Sequence, residues 1–343
     1  MAMITSTRIV LASRPAGAPT AENFRTETAD LPEVGDGQVL LRVLYLSLDP
    51  YMRGRMSDAE SYAEPVALDD VMCGGTVAEV VESRSDALPV GSVVLSYSGW
   101  QTHEVVDAAS VRRLDPERAP ISTALGVLGM PGFTAYAGMT VIGQPKEGET
   151  VVVAAASGPV GSAVGQFATI KGARAVGIAG GPEKCAYLID ELGFDAAVDH
   201  RADDFRKQLA AATPDGIDVY FENVGGAVAR AVLPRLNTYA RVPVCGLIAQ
   251  YNDTQAPEGP DRLPGFFTRV LTKSLTVRGF IQNEFVRDHY KNFQREVSEW
   301  VADGRFRYRE DVVEGLENAP DAFFGLLEGR NFGKLVVKVA DRD

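Results

Sequence analysis

The rhythm of apolar and polar positions changes near residue 120. Before it, short apolar runs are bounded by Gly, Pro and Asp. They are Gln38–Ser47, which alternates in part behind Gly35-Asp36-Gly37, then 76–82 and 92–97. Few segments there hold a helical period, and several short strands at this spacing predict a barrel or sandwich. After residue 120, strand and helix alternate. Residues 151–156 form a continuous apolar strand, and 160–171 place Val160, Val164, Phe167 and Ala168 at helical spacing. Arg174–Ala179 reads as a strand. Residues 182–192 read as a helix with Pro182 at its start and Gly193 just past its end, the expected asymmetry. A short strand at 197–198 and a helix at 203–212, capped by Asp203 or Asp204, follow. Then come strand Ile217–Phe221, helix 226–236 and strand 239–245. Such alternation means βαβ units and a parallel sheet. The loop 246–263 is too long for a plain connection and is expected to be functional or mobile. Helix 265–273, strand 275–279 and helix Val286–Ala302 come next. The tail, 311–339, is expected to hold one helix (321–327) and one strand (335–339).

The length, 343 residues, predicts two domains at about 150 residues each. Lys and Arg number 34 against 46 Asp and Glu, a net charge of −12. Backbone binding to nucleic acid needs a basic surface, so that class is disfavoured. No apolar run reaches a membrane span, and residues 1–10 lack a basic segment followed by an apolar one, so no secretory signal is expected. Cys73, Cys185 and Cys245 are odd in number and far apart, which argues for a reducing cytoplasm rather than a disulfide framework. His103, His200 and His289 are equally scattered. Without a CxxC, HxxxH or HExxH pair, no metal site is expected.

Candidate chemistry begins where the strand at 151–156 runs into Ser157-Gly158-Pro159-Val160-Gly161-Ser162-Ala163-Val164-Gly165 and a helix. Glycines let the backbone approach a pyrophosphate, and the helix N-terminus supplies N–H groups and a positive dipole end. The spacing is GxxGxxxG rather than GxGxxG, so the strand–turn–helix context carries the reading. An NAD site places Asp or Glu at the end of the second strand. Here that end reads Ala179-Gly180-Gly181, followed by Pro182-Glu183-Lys184. A 2′-phosphate fits there, within reach of Lys184, and the cofactor expected is NADPH.

With these residues in place, the chain resembles the zinc-independent medium-chain dehydrogenase/reductases. Within them it resembles the branch of prostaglandin reductase (leukotriene B4 12-hydroxydehydrogenase) and curcumin and alkenal double-bond reductases. The resemblance spans nearly the whole chain. It rests on residues 46–54 (LSLDPYMRG), 129–136 (GMPGFTAY), 155–162 (AASGPVGS), 221–226 (FENVGG), 245–252 (CGLIAQYN) and 331–334 (NFGK). The resemblance implies an α/β protein with a GroES-like β-rich catalytic domain, residues 1–122 and 311–343, around a Rossmann NADP-binding domain of doubly wound parallel sheet, residues 123–310.

The resemblance also implies roles. Gly158, Pro159, Val160 and Gly161 would hold the pyrophosphate and Lys184 the 2′-phosphate. A tyrosine that often shares the phosphate in this family is matched by His200, with Arg201 as a substitute donor. Asn223, Cys245, Gly246, Ile248, Phe280 and Ile281 would line the nicotinamide half, and Asn331 would close the site from the tail. Tyr51, Tyr62 and Met130 would border the substrate. Tyr251 would approach the substrate carbonyl and the nicotinamide ribose. The reaction implied is NADPH-dependent reduction of the carbon–carbon double bond of an α,β-unsaturated ketone or aldehyde. Hydride would go to the β-carbon, and the enolate oxygen would be met by Tyr251 and the ribose hydroxyl. Quinone reduction and allylic alcohol oxidation are the enzymatic alternatives, and a non-catalytic NADPH-binding protein the alternative of another class. The family favours homodimers.

Overall fold

The structure is a computed structural model that describes residues 4–255 and 259–342. Positions 256–258 of the loop expected at 246–263 lie outside the described residues, as do the first three residues of the segment searched for a signal. The chain forms two compact units. One holds the chain up to Gly126 and again from Glu310; the other is Val127–Arg309.

The first unit opens with β1 (Thr5–Leu11) and β2 (Phe24–Asp30), an antiparallel pair. β3 (Gln38–Ser47) leads into the short α1 (Tyr51–Arg55). β4 (Thr76–Ser83), β5 (Val93–Ser96), β6 (His103–Asp107) and β7 (Arg112–Arg113) follow. β3 is buried on both faces: Val39 and Leu41 pack into one core cluster and Leu46 into another, because successive side chains of a strand point to opposite faces.

The second unit begins with α2 (Met130–Ala137), which runs into a π-helical turn at Gly138–Gly143. Six strands then alternate with helices: β8 (Thr150–Ala154), α3 (Pro159–Ile170), β9 (Arg174–Ala179), α4 (Pro182–Asp190), β10 (Ala196–Asp199), α5 (Phe205–Ala212), β11 (Ile217–Phe221), α6 (Gly226–Val232), β12 (Leu236–Val244), α7 (Leu263–Thr272), β13 (Thr276–Gly279) and α8 (Val286–Ala302). The strands lie parallel in the order β10-β9-β8-β11-β12-β13. Numbered from β8 this is 3-2-1-4-5-6, the doubly wound order of dinucleotide-binding domains. One core cluster packs Val152, Val176, Val198 and Val242 with Ile217 and Tyr220.

The chain then returns to the first unit through β14 (Glu310–Glu314), α9 (Ala319–Leu327) and β15 (Lys334–Lys338). That unit's larger sheet has the order β14-β15-β3-β4-β5-β7, with β6 also on β3. Beneath it Trp100 stacks on Phe24 at 5.4 Å and meets the edge of Phe323 at 5.8 Å.

Several expectations need correction. The tail holds two strands, because β14 pairs in parallel with β15. The helix expected at 226–236 stops at Val232. A 3-10 turn at Leu233–Arg235 follows, where Pro234 cannot donate to a continuing helix. Asp204 stands at the N-cap of α5 without a side-chain capping bond. Its Oδ1 instead accepts from Gln208 Nε2. α2 was not expected, since it is buried nearly all round and shows no polar face for a periodicity to reveal. Among the described residues no helix is long and apolar enough to cross a membrane.

Candidate cofactor and active site

In open α/β sheets ligands sit beyond the carboxyl ends of the strands, where strand order reverses. In this sheet that point lies between β8 and β11. The chain leaves β8 through Ala155, whose φ of 52° is left-handed, an uncommon conformation for a residue other than glycine. Gly158 caps α3 and Pro159 follows at its first position. A Cβ added at Gly161 would stand 2.3 Å from Ala155 O, so only glycine lets the helix start this close to the strand. At Gly165 a Cβ would stand 1.8 Å from Phe194 Cζ; that glycine serves packing of helix on sheet. Gly158, Pro159, Val160 and Gly161 thus form the first turn of α3, whose N–H groups face outward along the axis.

Across the reversal point, Asn223 Nδ2 donates to Ala154 O at 2.9 Å and ties the end of β11 to β8. Glu222 is buried. Its Oε1 accepts from Val224 N at 2.7 Å and Gly225 N at 2.8 Å, and its carbonyl accepts from Cys245 N at 2.9 Å. Burial still holds its carboxyl above the usual range, against those amide bonds. Ile248 N donates to Asn223 O at 3.3 Å. So Asn223, Cys245, Gly246 and Ile248 come together in one hydrogen-bonded turn. Glu222 is the positioning residue that the motif reading missed, although it lies within the quoted 221–226 stretch. Cys245 is pushed up to about 12 by burial and by Glu222. It is a thiol at neutral pH, not a nucleophile.

Tyr251 follows this turn. Leu247 N donates to its hydroxyl at 3.4 Å, and a Cβ at Gly246 would stand 3.1 Å from the same oxygen. The hydroxyl therefore lies over Gly246, at the carboxyl edge of β12. Phe280 and Ile281 follow β13. Phe280 N donates to Val244 O at 3.3 Å, and its ring meets Phe221 edge-on at 6.1 Å. Ile281 N donates to Glu284 Oε1 at 2.8 Å. Met130 opens α2, its carbonyl accepting from Thr134 Oγ1 at 2.8 Å.

At the end of β9, a Cβ at Gly180 would stand 2.9 Å from Arg201 Nε and 3.0 Å from His200 Nε2. Both side chains fold over this glycine from the turn after β10. Asp199 Oδ1 accepts from Gly181 N and Arg201 N, each at 2.9 Å. Those amides hold its carboxyl below the usual range, although burial works against them. Lys184 lies in the first turn of α4 and acts electrostatically on His200. The acid near this strand end is thus turned onto backbone amides, and cation-capable groups border the glycine turn.

In the first unit, Ser47 Oγ donates to Asp49 Oδ2. Lys334 Nζ donates to Asp49 Oδ1 at 3.0 Å and to Leu48 O at 2.7 Å. Side-chain exposure of Lys334 and Asp49 is 3% and 7%. Tyr51 opens α1. Burial first, then Asp49, Cys73 and Tyr97, push its phenol well above the ordinary value. The Arg55 guanidinium stacks 5.8 Å from the Tyr51 ring and 5.2 Å from the Tyr62 ring, so Tyr51 and Tyr62 share one cation. Asn331 Nδ2 donates to Gly333 O at 2.9 Å.

Family models match both units: "N-terminal domain of oxidoreductase" over residues 7–114 and "Zinc-binding dehydrogenase" over 159–302. The chain is 56% identical to the NADPH-dependent curcumin reductase of Escherichia coli, over 98% of this chain and 97% of that one. It is 42% identical to prostaglandin reductase 1 of Rattus norvegicus, over 94% and 95%. The crystal structure of CurA in complex with NADPH from Vibrio vulnificus superposes with a TM-score of 0.95 at 56% identity, covering 98% and 99%.

The chain belongs to the medium-chain dehydrogenase/reductases. It falls in their curcumin reductase and prostaglandin reductase branch. The second model's description names zinc. Among the described residues no three His, Cys, Asp or Glu side chains converge as metal ligands, and Asp49 is taken up by Lys334 and Ser47. The glycine turn at residues 158–161 opens α3 at the reversal point of the sheet, which fits the pyrophosphate of a dinucleotide.

Proposed function

We propose that this chain is an NADPH-dependent reductase of the carbon–carbon double bond of α,β-unsaturated ketones and aldehydes. The observation that carries the reading is the Tyr251 hydroxyl, set over Gly246 at the carboxyl edge of the sheet. A protein that only bound the dinucleotide would need no donor there. The similarity to NADPH-dependent curcumin reductase and prostaglandin reductase 1 supports the same class of reaction.

NADPH, when bound, supplies the hydride that the β-carbon accepts. The chain binds and orients. Gly158, Pro159, Val160 and Gly161 offer the N-terminus of α3 to the pyrophosphate. Lys184, His200 and Arg201 take the 2′-phosphate, where no carboxylate is directed at the ribose. Asn223, Cys245, Gly246, Ile248, Phe280 and Ile281, all in the second unit, line the nicotinamide half. In the second unit, Met130 borders the substrate. As negative charge develops on the carbonyl oxygen, the Tyr251 hydroxyl donates a hydrogen bond to it, and a proton from water, direct or relayed, then goes to the α-carbon to complete the saturated product. A donor aimed at developing charge acts mainly in the transition state.

The protein works in the cytoplasm as a homodimer. β13 is the sheet's last strand and all four of its residues are exposed. Beside it α7 exposes Leu263, Phe267 and Leu271, spaced four apart as one helical stripe. A second copy covers this face, which light scattering reads as twice the chain's mass; a monomer at micromolar concentration contradicts it.

Acceptor-dependent NADPH oxidation tests the reaction class. A simple enone should drive oxidation well above the rate without acceptor, and above the rate with a quinone. Faster turnover of the quinone would move the chain to quinone reduction. No acceptor-dependent rate with any of these would leave only a binding protein.

A further inference from the structure

Three groups able to carry positive charge, from two separate elements, meet at the Gly180-Gly181 turn. His200 Nε2 and Arg201 Nε lie 3.0 Å and 2.9 Å from the position a Gly180 Cβ would take, and Lys184 faces them from the first turn of α4. Asp199 beside them spends Oδ1 on the amides of Gly181 and Arg201. A phosphate dianion placed here meets a guanidinium, an ammonium and an imidazole. We propose that His200 binds the 2′-phosphate as the imidazolium, so that recognition of NADPH takes up a proton. This rests on the reading of Lys184, His200 and Arg201 as the 2′-phosphate site.

The charges facing His200 set the sign. Desolvation of the ring, then Arg201 and Lys184, hold the imidazole below its ordinary value of 6.5, and Asp199 only partly opposes them. In the free protein His200 is therefore neutral at pH 7.5. A dianion within hydrogen-bond reach favours the charged form and raises that value. Protons are then taken up between the free and bound values, and phosphate-specific affinity falls as pH rises through that window. Each unit of difference between the two values corresponds to about a tenfold change in affinity. The rest of the preference stays with the contacts of Lys184 and Arg201.

Calorimetry with adenosine 2′,5′-bisphosphate and with AMP tests this without turnover. Titrations at pH 7.5 in buffers of different ionisation enthalpy count the protons exchanged. The 2′-phosphate is itself a dianion there, since its second pKa lies near 6. The wild-type protein should take up a large fraction of one proton with the bisphosphate and none with AMP. Its preference for the bisphosphate should fall roughly tenfold between pH 6.5 and 8. His200 and Arg201 are exposed, so His200→Gln should fold, lose the uptake and flatten the pH dependence while keeping a preference for the bisphosphate. Uptake that is absent in the wild type, or unchanged in His200→Gln, overturns the proposal and leaves the phosphate site standing. A wild type that binds the bisphosphate no tighter than AMP overturns both.

Discussion

Two charged clusters, one in each unit, use the same residue types to opposite ends. In the first unit Lys334 is closed on Asp49 and Leu48 O, with both side chains nearly out of solvent. In the second, Lys184, His200 and Arg201 gather at a glycine turn where Asp199 Oδ1 accepts from backbone amides. The first cluster satisfies itself. The second gathers groups able to carry positive charge at a strand end where dinucleotides bind. Buried pairs of the first kind are felt in stability when one partner is removed. Charge of the second kind is felt in ligand selectivity. Loss of a lysine should therefore separate the two clusters cleanly.

The largest effect is expected at Lys334. Lys334→Met leaves Asp49 buried without its cation and should cost about 3–5 kcal/mol of stability, read as the shift of the denaturant midpoint. Adding Asp49→Asn should recover most of it, because the stranded charge is gone. A single variant as stable as the wild type would show the pair to be no closed unit. Lys184→Ala, by contrast, should leave stability within about 0.5 kcal/mol. It should raise the NADPH KM roughly ten- to hundred-fold, the value of one charge-assisted contact of about 1.5–3 kcal/mol, with NADH kinetics nearly unchanged. An equal loss with both cofactors would remove Lys184 from phosphate recognition.

Tyr251→Phe probes the catalytic end of the same sheet. Removing one oxyanion donor costs about 2.7–4 kcal/mol where it acts alone. A remaining donor on the cofactor reduces that, so kcat on an enone should fall roughly ten- to hundred-fold, with NADPH binding close to wild type. An unchanged kcat would take Tyr251 out of the mechanism and leave the reaction class standing.

The two clusters also differ in how far they could be read along the chain. The glycine turn is local: strand, Gly158, Gly161 and helix lie within a dozen or so consecutive residues. β9, β11 and α8 begin and end where their patterns predict, because each carries its own period or boundary residues. The place of His200 over Gly180 depends on β9 and β10 lying side by side, which no local pattern states. Family resemblance pointed to His200 with Arg201 as a substitute, and the fold brings both onto the same glycine. Lys334 and Asp49 are 285 residues apart in sequence, and their pairing follows from β15 docking on β3. β14 escaped notice for a similar reason. Its Glu-Asp-Val-Val-Glu sequence is half-exposed at a sheet edge and becomes a strand only by pairing with β15.

The central claim is double-bond reduction with hydride delivered to the β-carbon. Turnover of a simple enone with NADPH deuterated at the transferred position, followed by NMR of the isolated product, tests it most directly. The account predicts the saturated ketone with deuterium on the β-carbon. An allylic alcohol with deuterium on the former carbonyl carbon would contradict it.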